Sequence, residues 1–195
     1  MANLTAFIIA GGKSSRMGQD KAFIEFGGTT LLDRMLAIAR SVTPDVRAVG
    51  NPEKYSSVVT TITDVYPDRG PLGGIHAALR STQSDLNLIL AVDMPFVETE
   101  FLRYLNEKAD SVTALVTVPY ALNRFQPLCA IYRREFADYA ETALAGGNCK
   151  IDSLFDPDIT CVIRQQEIER LAFPVSMFDN LNTREDLERA LGKEH

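Results

Sequence analysis

The run Leu86-Asn87-Leu88-Ile89-Leu90-Ala91-Val92 is the most apolar stretch of the chain, and it ends directly on a carboxylate, Asp93. A short, continuous apolar run reads as a strand buried on both faces. Such a strand needs cover above and below its sheet, and one chain supplies that with helices on both faces. The rest of the sequence carries the matching pattern of short apolar runs alternating with helical spacing. Strands are expected at Ala6–Ala10, Val46–Val49, Val58–Ile62, Val112–Val118, Leu128–Tyr132 and Val175–Phe178. Helices are expected at Leu31–Val42, Gly73–Leu79, Glu98–Ala109, Arg134–Ala145 and Thr183–Leu191, with a long loop over Pro119–Gln126. The expected architecture is a single α/β domain over residues 1–195, three-layered and Rossmann-like, with a mostly parallel central sheet.

Composition removes other classes. The chain has 195 residues, enough for a core without disulfides or metals, and is 46% hydrophobic and 24% charged. Asp+Glu outnumber Lys+Arg by 26 to 20, giving a net charge of −6, against the basic excess expected of a nucleic-acid surface. Cys129, Cys149 and Cys161 are widely spaced and the histidines are His76 and His195, so no zinc site or disulfide framework is expected, and a reducing compartment is. The N-terminal apolar run lacks a basic flank and meets Gly11-Gly12 too early for a leader. No apolar stretch approaches the ~20 residues of a membrane span. A cytoplasmic protein without membrane or nucleic-acid partners is expected.

In sheets of this kind ligands bind beyond the carboxyl ends of the strands. After the first strand stands Ala10-Gly11-Gly12-Lys13-Ser14-Ser15-Arg16-Met17-Gly18-Gln19-Asp20-Lys21. Adjacent glycines let backbone amides approach an anion, and Lys13, Arg16 and Lys21 can neutralise phosphate. A mobile glycine-rich loop with solvated charges would look the same. A Walker loop would need glycine where Phe7 stands, and adjacent Gly11 and Gly12 do not make a dinucleotide fingerprint. The third strand leads into Asp64-Val65-Tyr66-Pro67-Asp68-Arg69-Gly70-Pro71-Leu72-Gly73-Gly74, where Asp64 and Asp68 either read ligand donors or serve as turn and cap residues. Asp93 calls for a partner, either a divalent cation shared with phosphates or the start of the helix beyond Pro95. Gln126, Asn180 and Asn182 are neutral hydrogen-bonding groups suited to a polar ring, and Thr183 with Asp186 makes a weak capping box.

Taken in order, Ala-Gly-Gly-x-Ser-x-Arg-Met-Gly-x-Asp-Lys, Gly-Pro-Leu-x-Gly-Ile, Asp-Met-Pro, Gln-Pro-Leu-x-Ala-x-Tyr and Asn-x-Asn-Thr resemble the molybdenum cofactor guanylyltransferases from about residue 7 to residue 187. Any one block is weak, and five in this order are specific. The resemblance implies a nucleotidyltransferase fold and transfer of GMP from GTP to the terminal phosphate of molybdopterin, with or without molybdenum, releasing pyrophosphate. It implies nucleotide contacts from Ala10, Gly11, Gly12, Lys21, Asn51, Asp64 and Asp93. It gives Lys21 and Arg16 to the phosphates, Mg2+ to Asp93, and the pterin side to Gln126, Asn180 and Asn182. The family's cytidylyltransferase relatives carry alanine at the position of Gly12, which favours guanine here. The family also implies transient contacts with other cofactor-biosynthesis proteins. Asp68-Arg69 and Arg184 depart from its usual turn and its usual proline.

The residue types suit phosphoryl chemistry. A phosphate nucleophile is already ionised, so charge neutralisation and in-line positioning are required and a general base is not. The rival expectations are a nucleotidyltransferase using CTP or a sugar or alcohol phosphate, and a non-catalytic GTP-binding module.

Overall fold

The computed structural model describes residues 3–11, 20–66 and 69–191. β1 (Leu4–Ile9) is followed by the short hairpin β2 (Glu25–Phe26) and β3 (Thr29–Thr30), α1 (Leu31–Arg40), β4 (Val46–Val49), α2 (Pro52–Tyr55), β5 (Thr61–Ile62) and α3 (Pro71–Arg80). Then come β6 (Leu86–Ala91), α4 (Thr99–Asp110), β7 (Val116–Ala121), β8 (Arg124–Phe125), β9 (Cys129–Arg133), α5 (Phe136–Ala145), β10 (Thr160–Arg164), α6 (Gln165–Arg170) and α7 (Arg184–Leu191).

The main sheet runs β10-β7-β9-β6-β1-β4-β5, with β8 paired to β7. β1 lies between β4 and β6 and is parallel to both, while β9 runs antiparallel to β6 and β7. The expected mostly parallel sheet is thus observed. Its alternating side chains bury both faces. Ala6, Ile8, Leu88 and Leu90 pack under α1 and α4, whereas Phe7, Ile9 and Ile89 pack under α3 and α5. This explains why β1 and β6 read as unbroken apolar runs, since neither face meets water.

Local chemistry sets the element ends. Thr30 caps α1 by accepting from Asp33 N. Thr183 accepts from Asp186 N at 3.1 Å while the Asp186 carboxylate accepts from Thr183 N at 2.9 Å, so the expected capping box is present with Asp in place of Glu.

Three expectations are corrected. Val175–Phe178 is a 3-10 turn instead of a strand, begun by Pro174, whose carbonyl accepts from Met177 N at 3.1 Å. The turn closes again at Asp179, whose N–H donates to the Ser176 carbonyl at 3.0 Å, so these residues bond locally and pair with no strand among the described residues. Pro119–Gln126 is not a long loop. β7 continues to Ala121 and turns through Leu122 and Asn123 into β8, both turn residues having positive φ (55° and 58°). Successive left-handed residues are the signature of a tight type I′ hairpin. Residues 160–170, where the sequence pattern gave no element, form β10 and α6, with β10 at the sheet edge. Smaller shifts have the same kind of cause. Val58 N and Val59 N fold back to the Tyr55 carbonyl, leaving Thr61–Ile62 as the strand. Arg133 gathers the carbonyls of Ala109, Val112 and Ala114, which delays β7 to Val116.

Candidate active site

From β1 the chain runs outward through β4 and β5, then returns through α3 to β6 on the other side of β1. The carboxyl ends of β1 and β6 therefore flank a topological switch point, where an open α/β sheet leaves a crevice. A cleft of about 690 Å3 lies there, lined by Ala10 and Gly11 after β1, Gly50 and Asn51 after β4, Asp64 after β5, and Asp93 after β6. Lys21 enters from the short 3-10 turn Lys21–Phe23.

Asp93 is the centre of the polar cluster. Its Oδ2 accepts from Lys21 Nζ at 2.7 Å, and its Oδ1 accepts from Asn180 Nδ2 at 2.9 Å. Lys21 Nζ also donates to Asn182 Oδ1 at 2.8 Å. The Asp93 carbonyl accepts from Leu181 N at 2.9 Å, which docks the Asn180-Leu181-Asn182 strip onto the end of β6. Asp93 does not start α4, whose N-cap is Glu98. The pair is only slightly open to solvent, at 20% and 14% side-chain exposure, so it is less screened than a surface ion pair. Four of the expected residues, Lys21, Asp93, Asn180 and Asn182, are thus brought together from positions up to 161 residues apart.

Asn51 and Asp64 also line the cleft, each partly committed to the backbone. Asn51 Oδ1 caps α2 through Glu53 N at 2.9 Å, which leaves its amide nitrogen without a partner among the described residues. Asp64 Oδ1 accepts from Tyr66 N at 2.8 Å. Asp64 does not start α3, whose N-cap is Gly70 with φ 65°. Gly73 is required by packing, because a Cβ there would lie 2.8 Å from the Tyr66 carbonyl and 2.9 Å from an Asp64 oxygen.

Two groups expected to face ligands are hydrogen-bonded within the protein. The amides of Ala10 and Gly11 both donate to the Val49 carbonyl, at 3.0 and 3.2 Å, so they are engaged by β4 and do not form an anion nest. Gln126 does not reach the Asp93 cluster. It is 5% exposed, and its Nε2 donates to the Ala121 carbonyl at 3.0 Å across the β7–β8 turn. Gly12, Arg16 and Asp68 lie outside the described residues.

One contributor had no sequence signal. Tyr55, 2% exposed, places its hydroxyl 2.8 Å from Asp20 Oδ2 and 3.2 Å from the Ala10 carbonyl, donating its proton between them. It ties the end of β1 to the residue just before Lys21. Lys54 also binds Asp20, at 2.7 Å. Burial opposes ionisation of Asp20, but the hydrogen bonds from Lys54, Tyr55 and Ala22 N outweigh it and hold the carboxyl below its ordinary range. Burial first, then the Asp20 carboxylate, raises the Tyr55 phenol above its usual range. Gly50 makes room for this ring, since a Cβ there would meet Tyr55 Cε2 at 2.6 Å.

The eight-stranded, mostly parallel sheet is shared with solved structures. A nucleotidyl transferase from Methanothermobacter thermautotroptrophicus has the same fold at TM-score 0.69 and 17% identity, over 97% of this chain and 96% of that one. That likeness defines the fold class, an open α/β sheet of the kind found in that transferase. A structure from Archaeoglobus fulgidus, described as molybdopterin-guanine dinucleotide biosynthesis protein A, agrees more closely, at TM-score 0.82 and 26% identity over 97% of both chains. Residues 6–156 match the MobA-like NTP transferase domain, and the chain belongs to that family. A Clostridium perfringens protein named as a probable molybdenum cofactor guanylyltransferase is 32% identical, over 99% of this chain and 98% of its own length.

Proposed function

We propose that the chain transfers GMP from GTP to the terminal phosphate of molybdopterin, forming the guanine dinucleotide of the cofactor and releasing pyrophosphate. The observation that carries this reading is the Lys21–Asp93–Asn180–Asn182 cluster at the mouth of a nucleotide-sized cleft. The name of the Clostridium perfringens relative supports guanine and the molybdenum cofactor as substrates.

In this reading an oxygen of the acceptor phosphate bonds to the α-phosphorus of GTP. The bond from that phosphorus to its bridging oxygen breaks, and pyrophosphate leaves with the electron pair. The acceptor is already anionic, so no base removes a proton. The work is electrostatic. Lys21 leaves Asp93 for the phosphates and takes up charge that moves onto the pyrophosphate. Asn180 holds the Asp93 carboxylate in one rotamer, and Asn182 Oδ1 orients the Lys21 ammonium.

The donor set fits Mg2+. Asp93 offers hard carboxylate oxygens on the lining of the cleft, where the phosphates would lie. That is the pattern for Mg2+, which keeps one or two carboxylates and takes phosphate oxygens for the rest. Asp93 would hold the ion. When bound, Mg2+ supplies a counter-charge to the nucleotide phosphates.

Asn51 and Asp64, which line the same cleft, are the residues we assign to ribose or guanine. No described helix is long and apolar enough to cross a membrane. We read the protein as cytoplasmic, receiving its unstable acceptor in transient contacts with other biosynthetic proteins.

The test is pyrophosphate release with GTP, CTP, ATP or UTP, with Mg2+ and fresh molybdopterin. Release with GTP alone is expected, abolished by EDTA. Asp93→Asn and Lys21→Ala should each lower turnover about 10²-fold or more, as loss of transition-state charge stabilisation does. Near-normal turnover in either variant would remove that residue from the mechanism, and release with CTP instead would move the base assignment.

A further inference from the structure

A second cavity, of about 600 Å3, opens on the other side of the Asn180-Leu181-Asn182 strip. Asn180 and Asn182 hydrogen-bond Asp93 and Lys21 of the nucleotide cleft and also line this cavity, so the strip links the two. Its wall also carries Phe96, Glu98, Arg124 and Arg189. The resemblance puts the acceptor beside Asn180 and Asn182; resting on the transferase reading, we propose that Arg124 on this wall is the cation that binds the acceptor's phosphate and that Glu98 faces its heterocycle.

Geometry and charge both lead to Arg124. An acceptor phosphate attacking the α-phosphate must sit at the seam beside Asn182, and it brings negative charge next to a triphosphate. Lys21 is taken by Asp93 and the nucleotide. Of the two guanidinium groups that line the cavity among the described residues, Arg189 already faces Asp186 at 3.7 Å. The Arg124 side chain makes no hydrogen bond or ion pair among the described residues, although it stands on the cavity wall. Planar guanidinium is the side chain best matched to phosphate oxygens.

The backbone that carries Arg124 is built to fix it. The preceding turn puts Leu122 at φ 55°, a conformation that a leucine adopts at a cost. Strain of this kind persists where the surroundings enforce it and clusters at ligand clamps. Three contacts enforce it here: Gln165 Oε1 accepts from Leu122 N at 3.0 Å, Gln126 Nε2 donates to the Ala121 carbonyl at 3.0 Å, and Gln126 N donates to the Pro119 carbonyl at 2.9 Å. Gln126 therefore serves the acceptor side as a brace for the hairpin instead of a direct contact.

The rest of the wall suits a flat heterocycle. Phe96 is locked edge-on against Phe26 at 5.6 Å between ring centroids, offering a fixed apolar surface. Glu98 is half-buried beside it, and its carboxylate has no partner among the described residues. Two adjacent N–H donors, as on an aminopyrimidinone edge, match the two oxygens of a carboxylate.

The test varies one substrate at a time with the full chain and measures pyrophosphate release. Arg124→Gln is expected to raise the acceptor KM tenfold or more while the GTP KM stays within twofold. Arg124→Lys should recover part of the loss, and Glu98→Gln should also raise the acceptor KM alone. An unchanged acceptor KM in Arg124→Gln, or an equal rise in both constants, overturns the proposal. Fluorescence titration with a pterin phosphate monoester, without nucleotide, separates the two readings. If the wild type binds the probe and Arg124→Gln does not, the subsite stands even if no nucleotide supports turnover. Equal binding by both refutes the subsite while leaving a guanylyltransferase reaction intact.

Discussion

Gly11, Gly50 and Gly73 all border the nucleotide cleft or its supports, yet the structure separates their reasons. A Cβ at Gly11 would meet only Gly50 Cα at 3.7 Å and the Val49 carbonyl at 3.9 Å, which are ordinary contacts. Gly11→Ala should therefore keep its thermal stability, within about 0.5 kcal/mol, as for neutral surface changes, and raise the nucleotide KM tenfold or more. Gly73→Ala must push on a backbone carbonyl and the Asp64 carboxylate, and should lose about 1–3 kcal/mol by overpacking. Melting curves and nucleotide titrations of the two variants check this, and equal stability losses would mean that Gly11 is structural. The sequence marks all these glycines alike. Only the packed neighbours distinguish a glycine that the fold needs from one kept clear for a ligand. Lys21 and Asp93 were legible as residue types beyond strands, but their 2.7 Å contact comes from the topology.

At the scale of the element, two supports carry distinct predictions. Tyr55 joins the end of β1 to Asp20 with one hydroxyl. Tyr55→Phe keeps the ring, removes a hydrogen bond contributing about 1 kcal/mol, and is expected to raise the KM for nucleotide but not for acceptor. A stability loss with both constants unchanged would make the contact purely structural. The β7–β8 turn predicts a gain. Asn tolerates the left-handed region that Leu122 occupies, so Leu122→Asn should stabilise the chain by up to about 1 kcal/mol, read from the denaturation midpoint. A loss instead would show that contacts of the exposed Leu122 side chain outweigh its backbone strain. Neither element was visible in sequence. Tyr55 carries no motif, and a hairpin turning on Leu-Asn lacks the glycine that ordinarily announces it.

Across the whole molecule, one buried group couples the helical layer to pH. His76 on α3 is 4% exposed, its ring nitrogens lack hydrogen-bond partners among the described residues, and it packs edge-on against Tyr66 at 5.2 Å. Burial lowers its pKa, and Glu141 at 3.9 Å, too far for a hydrogen bond, only partly opposes this. The unfolded chain then binds a proton that the folded chain does not as pH falls below about 6.5. Stability should drop from there towards the lower folded pKa and then level off, by at most about 1.4 kcal/mol per pH unit. Melts between pH 7.5 and 5 should show a shallower slope for His76→Phe, and an unchanged slope would assign the acid sensitivity to other groups. The sequence by itself determined the layered α/β class, because runs buried on both faces force helical cover, and it determined which residue types follow the strands. The same local periodicity could not determine that β9 runs antiparallel, that 160–170 adds an edge strand, or that Asn180 and Asn182 meet Lys21. Those facts depend on which strand ends adjoin in space, and strand order is a property of long-range pairing that no local pattern encodes.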